Sequence, residues 1–201
     1  MRLRGIPPAG PALSYVGRPE GKFHGTAKPL VSSLSDPRLR GTNLLPNADF
    51  SDISYWQLPF PDKQVYDFTE GRRSPGSIKI GPAASDNLWF GGQIVPATPG
   101  EELYLSVWAK HSGIGIYAGI SLAIALFADA EGAQFIDTPT LTNLPAVDQP
   151  IDWTQITARY VVGPNVHGVA FVPALFAISG TAWFDEAWMS RVSYPNPTKL
   201  K

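Results

Sequence analysis

The 201-residue sequence contains no cysteine and only three histidines. Without cysteine there is no disulfide, no thiolate zinc site, no cysteine-ligated iron–sulfur cluster and no cysteine nucleophile. His24, His111 and His167 are too far apart in sequence to form a short metal-binding motif. The sequence also lacks the G-x-S-x-G element of serine hydrolases and the phosphate-binding loop of nucleotide-binding enzymes. We therefore expect a protein that is not an enzyme and has no catalytic residues.

Charged residues are also scarce, at 16% of the chain, and no apolar run has the length of a membrane span. The uncharged stretch 112–128 has 17 residues and three glycines, whereas a membrane helix needs about 20 apolar residues. The basic start of the sequence has no apolar stretch behind it, which argues against a secretory signal peptide. We expect no membrane partner.

The first region, residues 1–42, is predicted to be an extended arm. Residues 1–40 carry seven basic and two acidic residues, a net charge of +5, and the remaining residues carry nine basic and fifteen acidic, a net charge of −6. Six prolines and five glycines without a periodic apolar pattern exclude a long helix or strand. We expect an arm that anchors the protein to a partner; the open alternative is a linker or tail without one. The predicted partner-binding residues are Arg2, Arg4, Tyr15, Arg18, Lys22, Phe23, Lys28, Arg38 and Arg40.

The second region, residues 43–195, is predicted to be a single β-domain, followed by a short tail at 196–201. Several segments alternate apolar and polar residues with a period of two, which indicates β-strands, and turn-forming proline and glycine residues separate them. The predicted strands are 102–110, 120–127, 152–162, 169–178 and 181–192. The expected fold class is therefore all-β, a jelly-roll β-sandwich with an extended, irregular N-terminal arm.

Several segments of this region have a family likeness. They are Asn43-Leu-Leu-Pro-Asn-Ala-Asp-Phe50, residues 95–110, Trp153-Thr-Gln155 and residues 180–192, which contain Gly-Thr-Ala-Trp-Phe-Asp-Glu. Together they resemble the carbohydrate-binding modules of families four, nine and twenty-two. The resemblance covers about residues 43–192 and none of the arm. It implies a galactose-binding-like jelly roll, a fold that also occurs in phage virion proteins.

The resemblance also implies a metal. Members of these families often hold a structural calcium between the opening and closing strands. The matching positions are Ser51, where the family usually has glutamate, and Asp185; Asp49, Asp52 and Glu186 lie near enough in sequence to compensate. We expect Asp49, Asp52 and Asp185 to supply the hard oxygen ligands that calcium prefers. The alternative is that no cofactor is bound and these carboxylates accept hydrogen bonds from nearby donors.

Sugar binding in such modules needs aromatic faces for pyranose rings and polar side chains for the hydroxyls. The predicted glycan-binding residues are Trp56, Trp89, Gln93 and Tyr117, with Trp108, Asn87 and Asp86 as further candidates. A tryptophan in a sandwich strand is also typical of a core, and this alternative stays open for each of them. Trp183, Phe184 and Trp188 are predicted to lie in the core.

Two functions are compatible with these observations. The first is a non-catalytic structural protein of a large assembly, a phage virion component that decorates the capsid or attaches to the tail, assembled in the host cytoplasm and anchored by the arm. Its partners would be other subunits, including copies of itself, because the basic arm complements the acidic body. The alternative is a carbohydrate-binding module that recognises a surface glycan. Nucleic acid is not an expected partner, since prolines interrupt the basic residues of the arm and the body is acidic.

Overall fold

The computed structural model describes residues 26–28, 41–82, 86–115, 119–145, 148–177 and 179–192. Apart from Lys28, the predicted partner-binding residues of the arm lie outside the described residues, as does the tail at 196–201. The strands of the described part are β1 Thr26–Lys28, β2 Gln64–Asp67, β3 Ser77–Ile80, β4 Asp86–Trp89, β5 Val95–Pro96, β6 Glu102–His111, β7 Gly119–Phe127, β8 Phe135–Asp137, β9 Thr140–Pro145, β10 Ile151–Val161, β11 Gly168–Ala177 and β12 Ala182–Arg191. No helix in this part is long and apolar enough to cross a bilayer.

The strands form two antiparallel sheets that pack face to face. The first sheet has the order β1-β10-β6-β12-β3-β2. The second has the order β4-β11-β7-β8, with β5 also paired to β11 and β9 also paired to β7. The strands predicted from alternation correspond to β6, β7, β10, β11 and β12. The predicted β-sandwich is therefore confirmed.

The core lies between the two sheets and follows the alternation in the sequence. Leu105 and Val107 of β6 are fully buried, as are Ile124 of β7 and Phe171 of β11. Phe184 of β12 is fully buried as predicted, and its ring centroid lies 5.2 Å from that of Phe90. Burial of such side chains is the main stabilising contribution in a sandwich that has no disulfide.

The opening segment of the domain is joined to β12 by Asn43. The Asn43 side chain donates to the carbonyl of Ala187 at 3.0 Å and accepts from the backbone N–H of Met189 at 3.0 Å. The backbone adds two further hydrogen bonds, from Leu44 to Met189 and from Ala187 to Ala48. These contacts join the opening segment of the domain to its closing strand.

A β-bulge interrupts β12 between Asp185 and Trp188. Asp185 lies opposite Trp108 of β6 and Trp188 lies opposite Ser106, so β12 holds two residues where β6 holds only one. Glu186 occupies the bulge with φ of 48°, a left-handed conformation that few residues other than glycine adopt. The extra residue reverses the alternation: Phe184, Ala187 and Met189 face the core, whereas Trp188 faces outward.

Replacement of a core residue tests this packing. We expect Phe184→Ala to lower the free energy of unfolding by about 3–5 kcal/mol, because it leaves a cavity between the sheets. Phe176→Ala is the matched control, since Phe176 is 45% exposed, and it should cost less than about 1 kcal/mol. Urea denaturation measures both, and equal losses would contradict the assignment of the core.

Candidate functional site

Four of the six tryptophans lie on the outer face of the first sheet. Trp108 is on β6, Trp153 on β10, and Trp183 and Trp188 on β12, and each is half-buried. We call this surface the tryptophan face. The strand register places Gln155 and Asp185 on either side of Trp108. An outward cluster of large aromatic side chains is unusual for a soluble sheet and indicates a binding surface.

Cationic side chains lie against these rings. The Nζ atom of Lys110 is 5.4 Å from the ring centroid of Trp153 and 4.8 Å from that of Trp183. Lys79 approaches Trp183 from the neighbouring strand, at 5.6 Å. Lys110 also forms an ion pair with Glu70 at 2.5 Å. These contacts hold the aromatic rings in defined orientations on the sheet.

The connection between β2 and β3, residues 68–76, crosses this face, and we call it the Arg72 loop. The guanidinium carbon of Arg72 lies 3.5 Å from the ring centroid of Trp108. The backbone N–H of Arg72 donates to Asp185 Oδ2 at 2.7 Å, and its Nη1 forms an ion pair with Glu186. Arg73 Nε lies 3.0 Å from the other oxygen of the same glutamate. The bulge of β12 therefore supplies both carboxylates that hold the loop.

A groove of about 390 Å³ lies beside the Arg72 loop. Trp108 and Trp188 contribute aromatic surface to the groove. Ser106 of β6 lies opposite Trp188 of β12 and also lines the groove. The remaining lining residues are Asn43, Ala48, Asp49, Arg73, Gln155, Glu186 and Ala187. Aromatic surface next to amide and carboxylate side chains is the chemistry that recognises a ligand with apolar faces and many hydroxyls.

Two aspartates of the site have shifted pKa values of opposite sign. Burial raises the pKa of Asp185, which is 4% exposed, and the N–H groups of Arg72 and Glu186 act against this shift. For Asp67, burial would also raise the pKa, but hydrogen bonds from Thr69, Trp183 and Glu70 outweigh it and lower the pKa to about 2. The bond from Trp183 Nε1 to Asp67 Oδ2 is 3.0 Å long. Asp67 is therefore ionised at neutral pH and orients the Trp183 ring.

The residues predicted to bind a glycan do not lie together. The prediction for Trp56 is wrong, because this side chain is only 6% exposed and its ring packs against Phe50 and Phe90 in the core. Trp89 is half-buried on the outer face of the second sheet, against a cluster of small side chains that includes Ala125 and Val172.

The remaining candidates are dispersed in a similar way. Gln93 is exposed in the connection between β4 and β5. Asn87 pairs with Phe176, on the far sheet from the groove. Tyr117 and the side chain of Asp86 lie outside the described residues. Of the candidates named from the sequence, Trp108 is the one that the described structure places in the groove.

Trp183 and Trp188 were expected in the core, and this expectation is wrong. Neighbouring residues of a strand point to opposite faces, so the buried Phe184 implies that Trp183 faces outward. The outward position of Trp183 could therefore have been predicted from the sequence. Trp188 comes four residues after Phe184, so regular alternation would place both side chains on the inner face. Trp188 reaches the outer face only because of the bulge. A bulge at a non-glycine position leaves no clear signal in a single sequence.

The three predicted calcium ligands do not form one ligand set. Asp49 accepts from the Ser51 backbone N–H at 3.2 Å, and Asp52 accepts from that of Ser54 at 2.8 Å. The carboxylate of Asp185 is occupied by the N–H groups of Arg72 and Glu186. Over the described ranges, no three histidine, cysteine, aspartate or glutamate side chains are placed to share one metal ion. The predicted carboxylate set is therefore not assembled, and calcium binding stays a prediction.

No protein-family model matches the sequence, and no curated protein matches it. Solved structures do. One contains the family 22 module and catalytic module of Clostridium thermocellum xylanase 10B with xylohexaose: the TM-score is 0.55 at 16% identity, over 72% of this chain and 28% of that one. Another is TmCBM61 in complex with β-1,4-galactotriose. Its TM-score is 0.54 at 11% identity, and the match covers 75% of this chain and 99% of TmCBM61. A third is the enzymatically active domain of tailspike protein 4 from bacteriophage CBA120. Its TM-score is 0.52 at 18% identity, and the match covers 75% of this chain and 21% of the tailspike chain.

The fold is that of a carbohydrate-binding module. The likeness to whole modules such as TmCBM61 extends over nearly their full length, which agrees with the resemblance seen in the sequence. This chain spans only about a quarter of the xylanase and tailspike chains that it matches. At these identities the likeness establishes the jelly-roll β-sandwich and nothing about the ligand.

The low pKa of Asp67 predicts part of the acid response of this protein. The unfolded pKa of an aspartate is about 3.9, so Asp67 stabilises the fold above that pH, and the contribution is lost as pH falls toward 2. We expect Asp67→Asn to be less stable at pH 7 and to lose less free energy of unfolding than the wild type between pH 5 and 2. Denaturant titrations at several pH values measure this difference, and parallel curves would contradict it.

Proposed function

We propose that the protein is a non-catalytic module that binds a glycan on the tryptophan face. The observation that supports this most strongly is the outward position of Trp108, Trp153, Trp183 and Trp188 on one face of the sheet, where Trp108 and Trp188 also line the groove. Pyranose rings stack on indole faces through their axial C–H groups, and their hydroxyls need amide or carboxylate partners. Asn43, which also joins the opening segment to β12, and Gln155 bring amides to the same groove.

The orientation of the rings before binding favours this proposal. Trp183 donates through Nε1 to Asp67, and Trp188 donates through Nε1 to Ser190 Oγ at 3.1 Å. Both side chains stand on a strand in the middle of the sheet, between β6 and β3. A surface that is already ordered loses little conformational entropy when a ligand binds, which favours recognition of a weakly held ligand such as a sugar chain.

The balance of charge on the face indicates an uncharged glycan. Arg72 and Arg73 share Glu186, and Lys110 is paired with Glu70. Each of these three cations therefore has a carboxylate partner within its own chain. A polyanionic ligand would have to compete with those carboxylates, whereas a neutral sugar chain does not.

The carboxylates of the groove also favour binding without hydrolysis. Asp49 and Glu186 line it, but Glu186 is engaged by two arginines. A glycosidase needs one carboxyl that holds a proton at neutral pH and a second that attacks or activates water. The two arginines occupy both oxygens of Glu186, so this side chain is not free to contact a substrate in either role.

Substitution of the outward tryptophans tests the proposal. We expect Trp183→Ala and Trp188→Ala each to weaken retention on immobilised xylan or galactan about tenfold or more, because each removes a stacking surface. Trp89→Ala is the matched control, since it removes a half-buried tryptophan from the opposite sheet. Affinity electrophoresis measures retention, and thermal melting confirms that each variant folds. The proposed face would be contradicted if Trp89→Ala abolished retention while Trp183→Ala and Trp188→Ala left it unchanged.

A second candidate function is a structural role in a large assembly, as a phage virion component that decorates a capsid or attaches to a tail. Two observations favour it. One is the likeness to a tailspike domain. The other is β1, the described part of the arm, which pairs with β10 at the edge of the first sheet, with Thr26 opposite Val161. An arm that adds a strand to a sheet edge can do so on its own chain or on a neighbouring subunit.

Removal of residues 1–40 tests this second candidate. The arm carries +5 and the rest of the chain −6, so we expect the full chain to assemble at low salt and to dissociate as salt screens the attraction. The truncated chain should have the mass of one subunit at every salt concentration. Multi-angle light scattering gives both masses. A full chain that is a single subunit at all salt concentrations would argue against self-assembly through the arm.

A further inference from the structure

We propose that Arg72 occupies a sugar-stacking position on Trp108 and that a glycan must displace it, so that the Arg72 loop sets the affinity of the tryptophan face. This inference rests on the proposed glycan-binding function. Arg72 was not a candidate in the sequence analysis. The inference gives the Arg72 loop a role in ligand affinity in addition to its contacts with β12.

The contact with Trp108 is close enough to exclude a second occupant. The guanidinium carbon is 3.5 Å from the ring centroid, which is the separation of two planar groups in van der Waals contact. Trp108 lines the groove, so this ring belongs to the surface that a ligand meets. A sugar ring and the guanidinium cannot stack on the same side of the indole at the same time.

The backbone of the loop is anchored more firmly than the side chain that covers the ring. The Arg72 N–H donates to Asp185 Oδ2 at 2.7 Å, and Asp185 Oδ1 accepts from Glu186 N at 2.7 Å. Asp185 is 4% exposed, so these hydrogen bonds are shielded from water. The guanidinium, in contrast, is held by Glu186 and the indole of Trp108, two side chains that line the open groove.

The side chain can therefore leave Trp108 while the loop stays in place. The Arg72 side chain is 21% exposed and that of Glu186 is 25% exposed, so water reaches both partners. Glu186 also keeps a cationic partner when Arg72 moves, because Arg73 Nε lies 3.0 Å from its second oxygen. Displacement then costs one ion pair at a solvated site and the stacking of the guanidinium on the ring. A glycan that takes the ring has to offset that cost.

Two ion-paired arginines provide a matched pair of variants. Arg72→Ala removes the stacked guanidinium, whereas Arg191→Ala removes an exposed arginine of β12 that pairs with Glu101 and does not line the groove. Isothermal titration with xylohexaose and with β-1,4-galactotriose gives the affinity of each variant. We expect Arg72→Ala to bind about tenfold more tightly than the wild type, and Arg191→Ala to stay within about twofold.

The opposite result overturns the inference. If Arg72→Ala binds more weakly than the wild type while it melts at the same temperature, Arg72 contacts the ligand directly. If it binds equally, the stacked guanidinium does not compete with the ligand. Glu186→Gln provides a second variant, because it releases the guanidinium without removing it; it should also tighten binding, and unchanged affinity again overturns the inference.

Acrylamide quenching of tryptophan fluorescence separates this inference from the proposed function, because it needs no ligand. Arg72→Ala should raise the quenched fraction relative to Arg191→Ala, and the added Trp108→Phe substitution should remove the difference. Unchanged quenching overturns the shielding of Trp108 whatever the sugars do. Raised quenching with no binding of either sugar by any variant, and with no retention on a wider glycan panel, supports the shielding and overturns the glycan function.

Discussion

The extra residue in β12 at Asp185 and Glu186 determines which side chains face the core and which face the groove. Before the bulge, Phe184 is buried and Trp183 is outward; after it, Met189 is buried and Trp188 is outward. Trp183 and Trp188 are five residues apart, so in a regular strand they would point to opposite faces. Without the bulge, one of them would therefore enter the core. The bulge also presents Asp185 and Glu186 side by side to the Arg72 loop. The sheet, the loop and the groove therefore depend on one local departure from regular pairing.

Charge on the tryptophan face is arranged in pairs, and this arrangement has two consequences. The pairs between arginines and Glu186, and between Lys110 and Glu70, keep the net charge of the surface small. They also orient the cations against indole rings, so that aromatic and ionic contacts support each other. Ion pairs at a partly solvated surface contribute little to stability by themselves. Their value here lies in the position they give to the rings and to the Arg72 side chain.

The two candidate functions use different parts of the first sheet. The arm strand β1 pairs with β10 at Arg159 to Val161, whereas Trp153 lies near the other end of the same strand. The groove residue on β10 is Gln155, four residues and about 13 Å of extended chain from Arg159. The described part of the arm therefore pairs outside the groove lining, and the two proposed roles do not require the same residues. The two roles are compatible in one molecule.

The sequence by itself determined the fold class and most of the long strands, because apolar residues alternate with polar ones wherever one side of a strand is buried. It also identified the opening and closing segments, which Asn43 joins. The tryptophan face depended on tertiary structure. Trp56 lies in a segment without periodic pattern and enters the core through contacts with Phe50 and Phe90. Trp188 faces outward only because β6 and β12 pair with a bulge, and Arg72 meets Trp108 from 36 residues away in sequence. Alternation reports whether a residue is inward or outward along one strand, but the meeting of distant strands and loops is set by packing that a single sequence does not display.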